Sequence, residues 1–510
     1  MPKALERIAN FLHSNNFYRL ILGLFIFEAS WIALSAAYPQ AFDENFHFGL
    51  IKVYSHYWLP FFSQQPPHAD AYGAVARDPS YLYHYLMSFP YRIINLFYKE
   101  QIGQIVMLRF LNIAMFAYGI VLFRKLLLKV KASNALTNMI LMLFILIPIV
   151  PQLAAQINYD NMMIPLTAAL LLYAFKIVDQ IKSKDVSLWS IVMFLGACLL
   201  TSLVKYAFLP IFAGMVLYLM AIIYKTYKKE LKQFFIQIGH SWLKQKLTAK
   251  IIIVVVAVVP LGMFVQRDIG NLVMYHSIQP NCSRVLSVKQ CMAYSPWAYN
   301  YKNHKKVLAQ EVSMQSANPL IYSFQWLYWM WYRLFFAVNG PKSHFKNYPP
   351  LPLPSAAALV LFIAGVISLI KWWRKIFQGN LYIKMLGVVA VCYLIALMGQ
   401  GYVTYRYTAV LENMNGRYLL PILLLVAVIF GQALSYSMNH SRTRKIVVAV
   451  VVLIAFVEGG GFLTFIARSN RSWYIHNSTI YKVNLTARKV VKRVVVSGGK
   501  SYSTKIWFFN

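Results

Sequence analysis

Negative charge is the scarcest commodity in this chain. Of 510 residues, 15 are Asp or Glu, against 50 Lys or Arg, and charged residues together make up 13%. An ordinary soluble domain carries roughly 25%. Hydrophobic residues reach 59% and aromatics 16%. A soluble globule of this size cannot hide so much apolar side chain, because its surface needs polar cover. The composition therefore excludes a soluble enzyme and a disordered regulator. Cysteine is also rare, at four residues, which excludes a disulfide-built secreted scaffold. No GxGxxG, Walker loop, G-x-S-x-G or paired CxxC occurs, so neither a soluble nucleotide, ATP included, nor a serine nucleophile is indicated. There is no tandem repeat, heptad run or low-complexity block.

What the chain has instead is apolar segments of bilayer length. Taking roughly 20 apolar residues per span, about eleven transmembrane helices are expected, at 17–38, 104–123, 134–155, 160–178, 187–203, 206–224, 250–267, 355–372, 381–399, 418–437 and 446–466. The expected fold class is an all-α polytopic membrane protein. No cleavable signal peptide is expected, because the first apolar stretch has spanning length and lacks a small-residue cleavage site. Every second connection is basic: Arg124–Lys131, Lys176–Lys184, Lys225–Lys250, Lys371–Lys384 and Arg442–Lys445. By the positive-inside rule this puts the N-terminus inside and the C-terminus outside. Much of the net charge of +35 is then a topology signal. Membrane lipids with anionic headgroups account for it more simply than nucleic acid, which is not an expected partner.

Two further apolar stretches, Leu82–Tyr98 with its Pro90 and Arg92, and Tyr322–Val338 with its Arg333, would invert the basic loops if they spanned. They read as interfacial or re-entrant helices. The stretch from 187 to 224 is too long for one span and must turn at the polar interruption Thr201–Tyr206. Residues 1–466 form the membrane domain, with outer loops at about 40–104 and 268–354, and residues 467–510 form a short outer tail. Cys198 and Cys392 fall within spans as small buried hydrophobes. Cys282 and Cys291 share the second outer loop, where an oxidising compartment permits a disulfide, and they are expected to be bonded.

So few carboxylates make the candidates for acid–base chemistry easy to enumerate. Glu28 and Glu458 lie within spans, and Glu412 lies near the outer interface. The only adjacent pair is Asp43-Glu44, in AFDENFHFGL, just past the outer end of the first span. Two negative charges at a membrane surface carry a desolvation cost that invites a reason. One reason is capping, with Asp43 as N-cap of a helix beginning at Glu44. Another is catalysis. His47, four residues on, would share the helix face with Asp43, so that Asp43, Glu44 and His47 could also collect a divalent metal, although the first His of a zincin helix is missing.

Cations near the outer interface are the second signal. Lys205, in TSLVKYAFLP, can snorkel or meet a phosphate. Arg417, in ENMNGRYLLP with Asn415 and Tyr418, is either an interface anchor or a bidentate phosphate ligand. Asp160, in QINYDNMMIP, opens the fourth span as a cap or a substrate contact. Arg92 and Arg109 are weaker candidates. His56, His68 and His84 also lie in the first outer loop.

At these residues the chain resembles the C-type (GT-C) membrane glycosyltransferases. That family pairs an acidic motif just outside the first span with a long first outer loop carrying surface helices, many spans and chemistry at the outer leaflet. Asp43-Glu44 match the acidic motif. Lys205 and Arg417 match loosely the basic residues around the lipid phosphate. QINYDN, SLVKYAFLP and NGRYLLP also resemble a large group of uncharacterised bacterial multi-span proteins, which implies a bacterial cytoplasmic membrane. The resemblance implies inverting transfer of a sugar from a polyprenyl-phosphate-linked donor to an acceptor hydroxyl. Asp43 would be the base, Glu44 would support it or hold a metal, and Arg417, Lys205, Asp160, His47, Asn415 and Tyr418 would surround the phosphate and substrate. The tail is far smaller than the soluble domain of oligosaccharyltransferases, which speaks against a protein acceptor read by such a domain. Two other classes remain open at this point: a transporter or lipid flippase, with Asp160 or Lys205 as intramembrane charges, and a non-catalytic subunit of an envelope-assembly complex.

Overall fold

The computed structural model describes residues 3–312, 318–336, 352–411, 414–438, 441–457 and 460–494. Glu412, Glu458, residues 337–351 of the second outer loop and the tail beyond residue 494 lie outside them. Among the described residues the chain is 80% helix with no strands.

In chain order the helices begin with α1 (Lys3–His13), α2 (Asn15–Ser35), α3 (Glu44–Tyr54), α4 (Leu82–Phe97), α5 (Gln101–Lys129), α6 (Asn134–Ile145), α7 (Ile149–Ala154) and α8 (Asp160–Lys182). Next come α9 (Leu188–Val204), α10 (Leu209–Tyr227), α11 (Leu231–Leu243), α12 (Leu247–Phe264) and α13 (Gly270–Tyr275), the last two joined by a π-helical turn over Val265–Ile269. The second outer loop holds α14 (Cys282–Val285), α15 (Val288–Cys291), α16 (Ser295–Leu308) and α17 (Pro319–Phe336). The chain continues through α18 (Pro352–Phe377), α19 (Leu381–Thr408), α20 (Leu420–Ser437), α21 (Arg442–Val457), α22 (Phe462–Arg468) and α23 (Ser478–Val494). Side-chain oxygens of Ser14, Ser133 and Asn380 accept the free backbone N–H groups that open α2, α6 and α19.

Among the described residues eight helices are long and apolar enough to cross a membrane: Asn15–Ser35, Gln101–Lys129, Asp160–Lys182, Tyr206–Tyr227, Leu247–Tyr275, Ala357–Phe377, Leu381–Thr408 and Gly416–Ser437. Three of the eleven expected spans are not single long helices. Segment 134–155 breaks into α6 and α7 around Pro148, which has no N–H to continue a helix. Segment 446–466 carries α21 and α22, the latter beginning after Gly461, whose φ is +56°. Segment 187–203 is the 17-residue α9. The turn expected near 201–206 is present. Lys205 is extended (φ −153°, ψ 116°), and a 3-10 turn at Tyr206–Phe208 leads into α10. Ile251, Val254, Val255 and Val258 of α12 remain exposed, an apolar face suited to lipid rather than water.

The basic connections gather at one end of the bundle. Lys129 pairs with Asp179 (3.2 Å) and Lys184 with Glu230 (3.0 Å). Asn380 and Gln432 both donate to the Val130 carbonyl (3.1 Å each). The long connections lie at the other end, and the tail docks there. Ile475 N–H donates to Ser35 O (2.9 Å), and Trp31 donates to Asn484 on α23 (3.0 Å).

The first long connection, expected on the outer side, is a folded cap with a core of its own. Phe48, Leu50, Ile51 and Tyr54 of α3 pack with Tyr81, Tyr83 and Met87 and with Ile157, Leu203 and Val204. Gly49 lets the Tyr72 ring lie on α3; a Cβ there would fall 2.2 Å from that ring. Arg267 ties the loop to α12, donating to Asp78 O (2.8 Å) and facing the Tyr81 ring at 4.4 Å. The two ambiguous segments are α4 and α17, and neither is among the eight long apolar helices. Each buries one stripe, Tyr83, Met87 and Tyr91 in α4 and Tyr322, Trp326, Met330 and Leu334 in α17.

Candidate functional site

Asp43, Arg417, Asp160 and Lys205 come from four separate places in the sequence and meet at the end of the bundle that carries the long loops. Arg417 Nη2 donates to Asp43 Oδ2 at 3.0 Å, and its Nη1 donates to Phe42 O at 2.9 Å. Its Nε lies 4.0 Å from Asp160 Oδ2 and makes no hydrogen bond. On the far side of Asp160, Lys205 Nζ donates to Oδ1 and packs over the rings of Tyr159 (4.6 Å) and Tyr418 (5.0 Å). The result is a line of alternating charges, with a sum of zero. Burial is uneven along it: the side chains of Arg417, Asp160 and Lys205 are 5%, 3% and 4% exposed, but that of Asp43 is 46% exposed. The acid stands at the mouth and the other three lie behind it.

Local structure explains the placement. Asp160 opens α8, Lys205 occupies the break between α9 and α10, and Arg417 sits in the 3-10 turn Gly416–Leu419 that leads into α20. Asn415 caps that turn by accepting from Arg417 N (3.1 Å). Gly416 is required by close approach, since a Cβ there would lie 2.3 Å from the Leu334 Cα of α17. Tyr418, whose hydroxyl accepts from Arg417 Nη2 (3.4 Å), is fixed from behind by Tyr393 Oη donating to its carbonyl (2.7 Å).

Asp43 precedes α3, as expected, but does not cap it. Its φ and ψ are +69° and 29°, and its side chain makes no capping bond. Phe42 also has a positive φ, +67°, uncommon for a bulky residue. That conformation is pinned by Arg417 and by Asn158 Nδ2, which also donates to Phe42 O (2.9 Å). Strained backbone held by its surroundings in this way recurs at functional sites. Here it turns the carboxylate away from the helix start and toward Arg417.

Glu44 has a different role from the one expected of it. It is fully buried, and Arg109 binds it through two bonds, Nε to Oε1 (2.8 Å) and Nη2 to Oε2 (2.7 Å). Gln40 N and Ile157 N donate to the same two oxygens (2.8 and 3.2 Å). Arg109 Nη1 also donates to Ala33 O and Ala36 O at the end of α2 (3.0 and 2.7 Å). With four donors on its carboxylate, Glu44 is a latch holding the first loop to α2 and α5 rather than a reacting group.

His47 likewise turns inward. Its Nδ1 lies 2.9 Å from His84 Nε2, and its ring packs against Tyr159 at 4.5 Å. Burial, reinforced by His84, Arg417 and Lys205, holds His47 well below the usual imidazole range, and burial lowers His84 to about 3. Among the described residues no three His, Cys, Asp or Glu side chains are grouped to hold a metal ion. The expected trio of Asp43, Glu44 and His47 is dispersed onto Arg417, Arg109 and His84.

Sequence reasoning named Tyr418 but missed Tyr159 and Tyr294 beside the charges. Tyr294 reaches the site from the second outer loop, where burial and then Asp43 raise its hydroxyl above the usual range. α15 packs against the turn Asp70–Tyr72 of the first loop, and Cys282 and Cys291 are bonded, with Cα atoms 5.8 Å apart. Only the Y of QINYDN and of NGRYLLP, flanking Asp160 and Arg417, gave a sequence-level hint of these aromatics. Neither a protein-family model nor a curated protein matches the chain.

Proposed function

We propose that this protein is an inverting GT-C-like glycosyltransferase of the bacterial cytoplasmic membrane. It would move a sugar from a polyprenyl-phosphate-linked donor to an acceptor hydroxyl at the outer face. The observation that carries the reading is the graded quartet: an exposed carboxylate at the mouth, backed by a buried arginine with unspent donors. The acceptor oxygen attacks the anomeric carbon, and Asp43 takes the acceptor proton. The bond from that carbon to the phosphate oxygen breaks, and its electron pair leaves with the phosphate. Arg417, with Lys205 behind it, meets the charge that grows there. Asp160 keeps the two cations from repelling each other while the phosphate is absent. A lipid-borne donor accounts for a site at helix ends and for the lack of nucleotide motifs.

The carrier reading is less well supported, because the buried charges occupy the starts of α8 and α20 and the gap after α9, not broken helices at mid-span. The test is titration of the purified protein with polyprenyl phosphate. Wild type should bind it, Arg417→Ala should bind at least ~10-fold more weakly, and Arg417→Lys should recover part of the loss because the fork geometry is gone. Equal binding by wild type and a folded Arg417→Ala protein would return Arg417 to an anchoring role.

A further inference from the structure

A second feature begins beside the quartet and runs to the basic end of the bundle. A cavity of about 1490 Å³ runs between α1, α6, α17, α18, α20 and α21. Small-molecule pockets usually measure about 300–1,000 Å³, so this one suits a larger occupant. Its body is apolar, formed by residues such as Met139, Ile140, Phe362, Leu423 and Phe430. One end is lined by His13, Lys131, Lys375, Arg442 and Lys445, and no Asp or Glu lines the cavity among the described residues. Lys131, Lys375, Arg442 and Lys445 come from three separate connections, gathered at the basic end of the bundle. Lys375 is steadied over Trp372 (4.9 Å), and Asn380 and Gln432, also lining the cavity, brace the Lys131 turn through Val130 O.

We propose that this cavity binds an anionic glycerophospholipid, with acyl chains in the apolar body and phosphate against the basic rim. Charge complementarity selects the headgroup, because a zwitterionic lipid would bring its own cation onto a rim of Lys and Arg with no Asp or Glu among the described residues. The apolar body reaches Leu419 and Leu334, close to the quartet, but the basic rim is separate from it. Arg417 precedes α20 and Arg442 follows it, so the 18 residues of that helix hold the two about 27 Å apart at 1.5 Å per residue. A phosphate on the rim is therefore not a phosphate at Asp43, and the proposal does not depend on the glycosyltransferase reading.

Native mass spectrometry of the full chain, equilibrated with equal phosphatidylglycerol and phosphatidylcholine of matched acyl chains, tests it. Wild type should retain phosphatidylglycerol over phosphatidylcholine by at least ~10-fold, as a few cations near the phosphate imply. The double variant Lys375→Gln/Arg442→Gln should bring that ratio to within ~2-fold. Leu423→Trp, or Ala427→Phe if the first is unstable, should reduce retention of both lipids by filling the body, with thermal stability recorded alongside. Equal retention of the two lipids by wild type would overturn the proposal. So would a preference that survives the charge variant. A folded cavity-filling variant that keeps the full phosphatidylglycerol signal would also overturn it, since that result assigns the preference to the surface charge of the basic end.

Discussion

Asp43 and Glu44 are neighbours in sequence with opposite fates, and this contrast determines what their variants should do. Asp43 is half-exposed and held by one arginine, so Asp43→Asn keeps the shape and a partner for Arg417 while removing the charge. We expect a protein of near-normal stability that transfers sugar at least ~100-fold more slowly, in line with the usual general-base contribution. Turnover of that variant within a few-fold of wild type, measured with a defined polyprenyl-phosphate donor, would end the assignment. Glu44→Gln should fail by another route. It leaves Arg109 buried with its charge uncompensated, a loss of about 3–5 kcal/mol. Thermal melts should show it destabilised, and an unchanged melting temperature would contradict the latch. From sequence the two acids were indistinguishable, because adjacency says nothing about which one faces Arg109, 65 positions away.

The pairing of α3 with α4 carries a pH dependence. His47 and His84 sit at their interface, buried and held below the usual imidazole range. Unfolded imidazoles take a proton near pH 6.5, whereas the folded His84 does so near 3. The unfolded state therefore binds more protons below pH 6.5. The stability contributed by the pair is full above that pH and declines as pH falls toward 3. Between pH 6.5 and 4.5 the loss from His84 should be about 2–3 kcal/mol. Melting temperatures across that window should fall steeply for wild type and less steeply for His47→Phe/His84→Phe, in which both partners become apolar. Parallel curves for the two proteins would remove the pair as the sensor. The same pairing bears on the sequence reading of α4 as an interfacial or re-entrant helix. Pro90 and Arg92 argued against a span, and α4 packs on α3 as well as on α5 and α9, with Arg92 donating to Tyr57 O.

At the scale of the molecule, the basic connections at one end and the folded loops at the other make a topology claim that labelling can test. Single cysteines placed at Lys232 and Lys302, both exposed, should react with an impermeant reagent from opposite sides of the membrane, with Lys232 on the inner side. Reaction of both from one side would overturn the orientation inferred from the positive-inside rule.

The helical membrane character, most helix positions, the turn at Lys205 and the crowding of basic loops were all legible in the linear chain. Each depends on local hydropathy, proline placement or charge counts over short windows, quantities that need no partner. Where Pro148 broke a segment, or a helix stopped at 17 residues as α9 does, the apolar composition alone still read as a span. Asp43, Asp160, Lys205 and Arg417 could be named from sequence as charges too costly to hold near a membrane without a reason. Their meeting was decided only by tertiary structure, because pairing across 374 positions depends on how α2, α8, α9 and α20 pack. The removal of Glu44 and His47 from the site was decided there too. A carboxylate or imidazole takes its role from the donors that reach it once water is excluded, and those donors are fixed by packing.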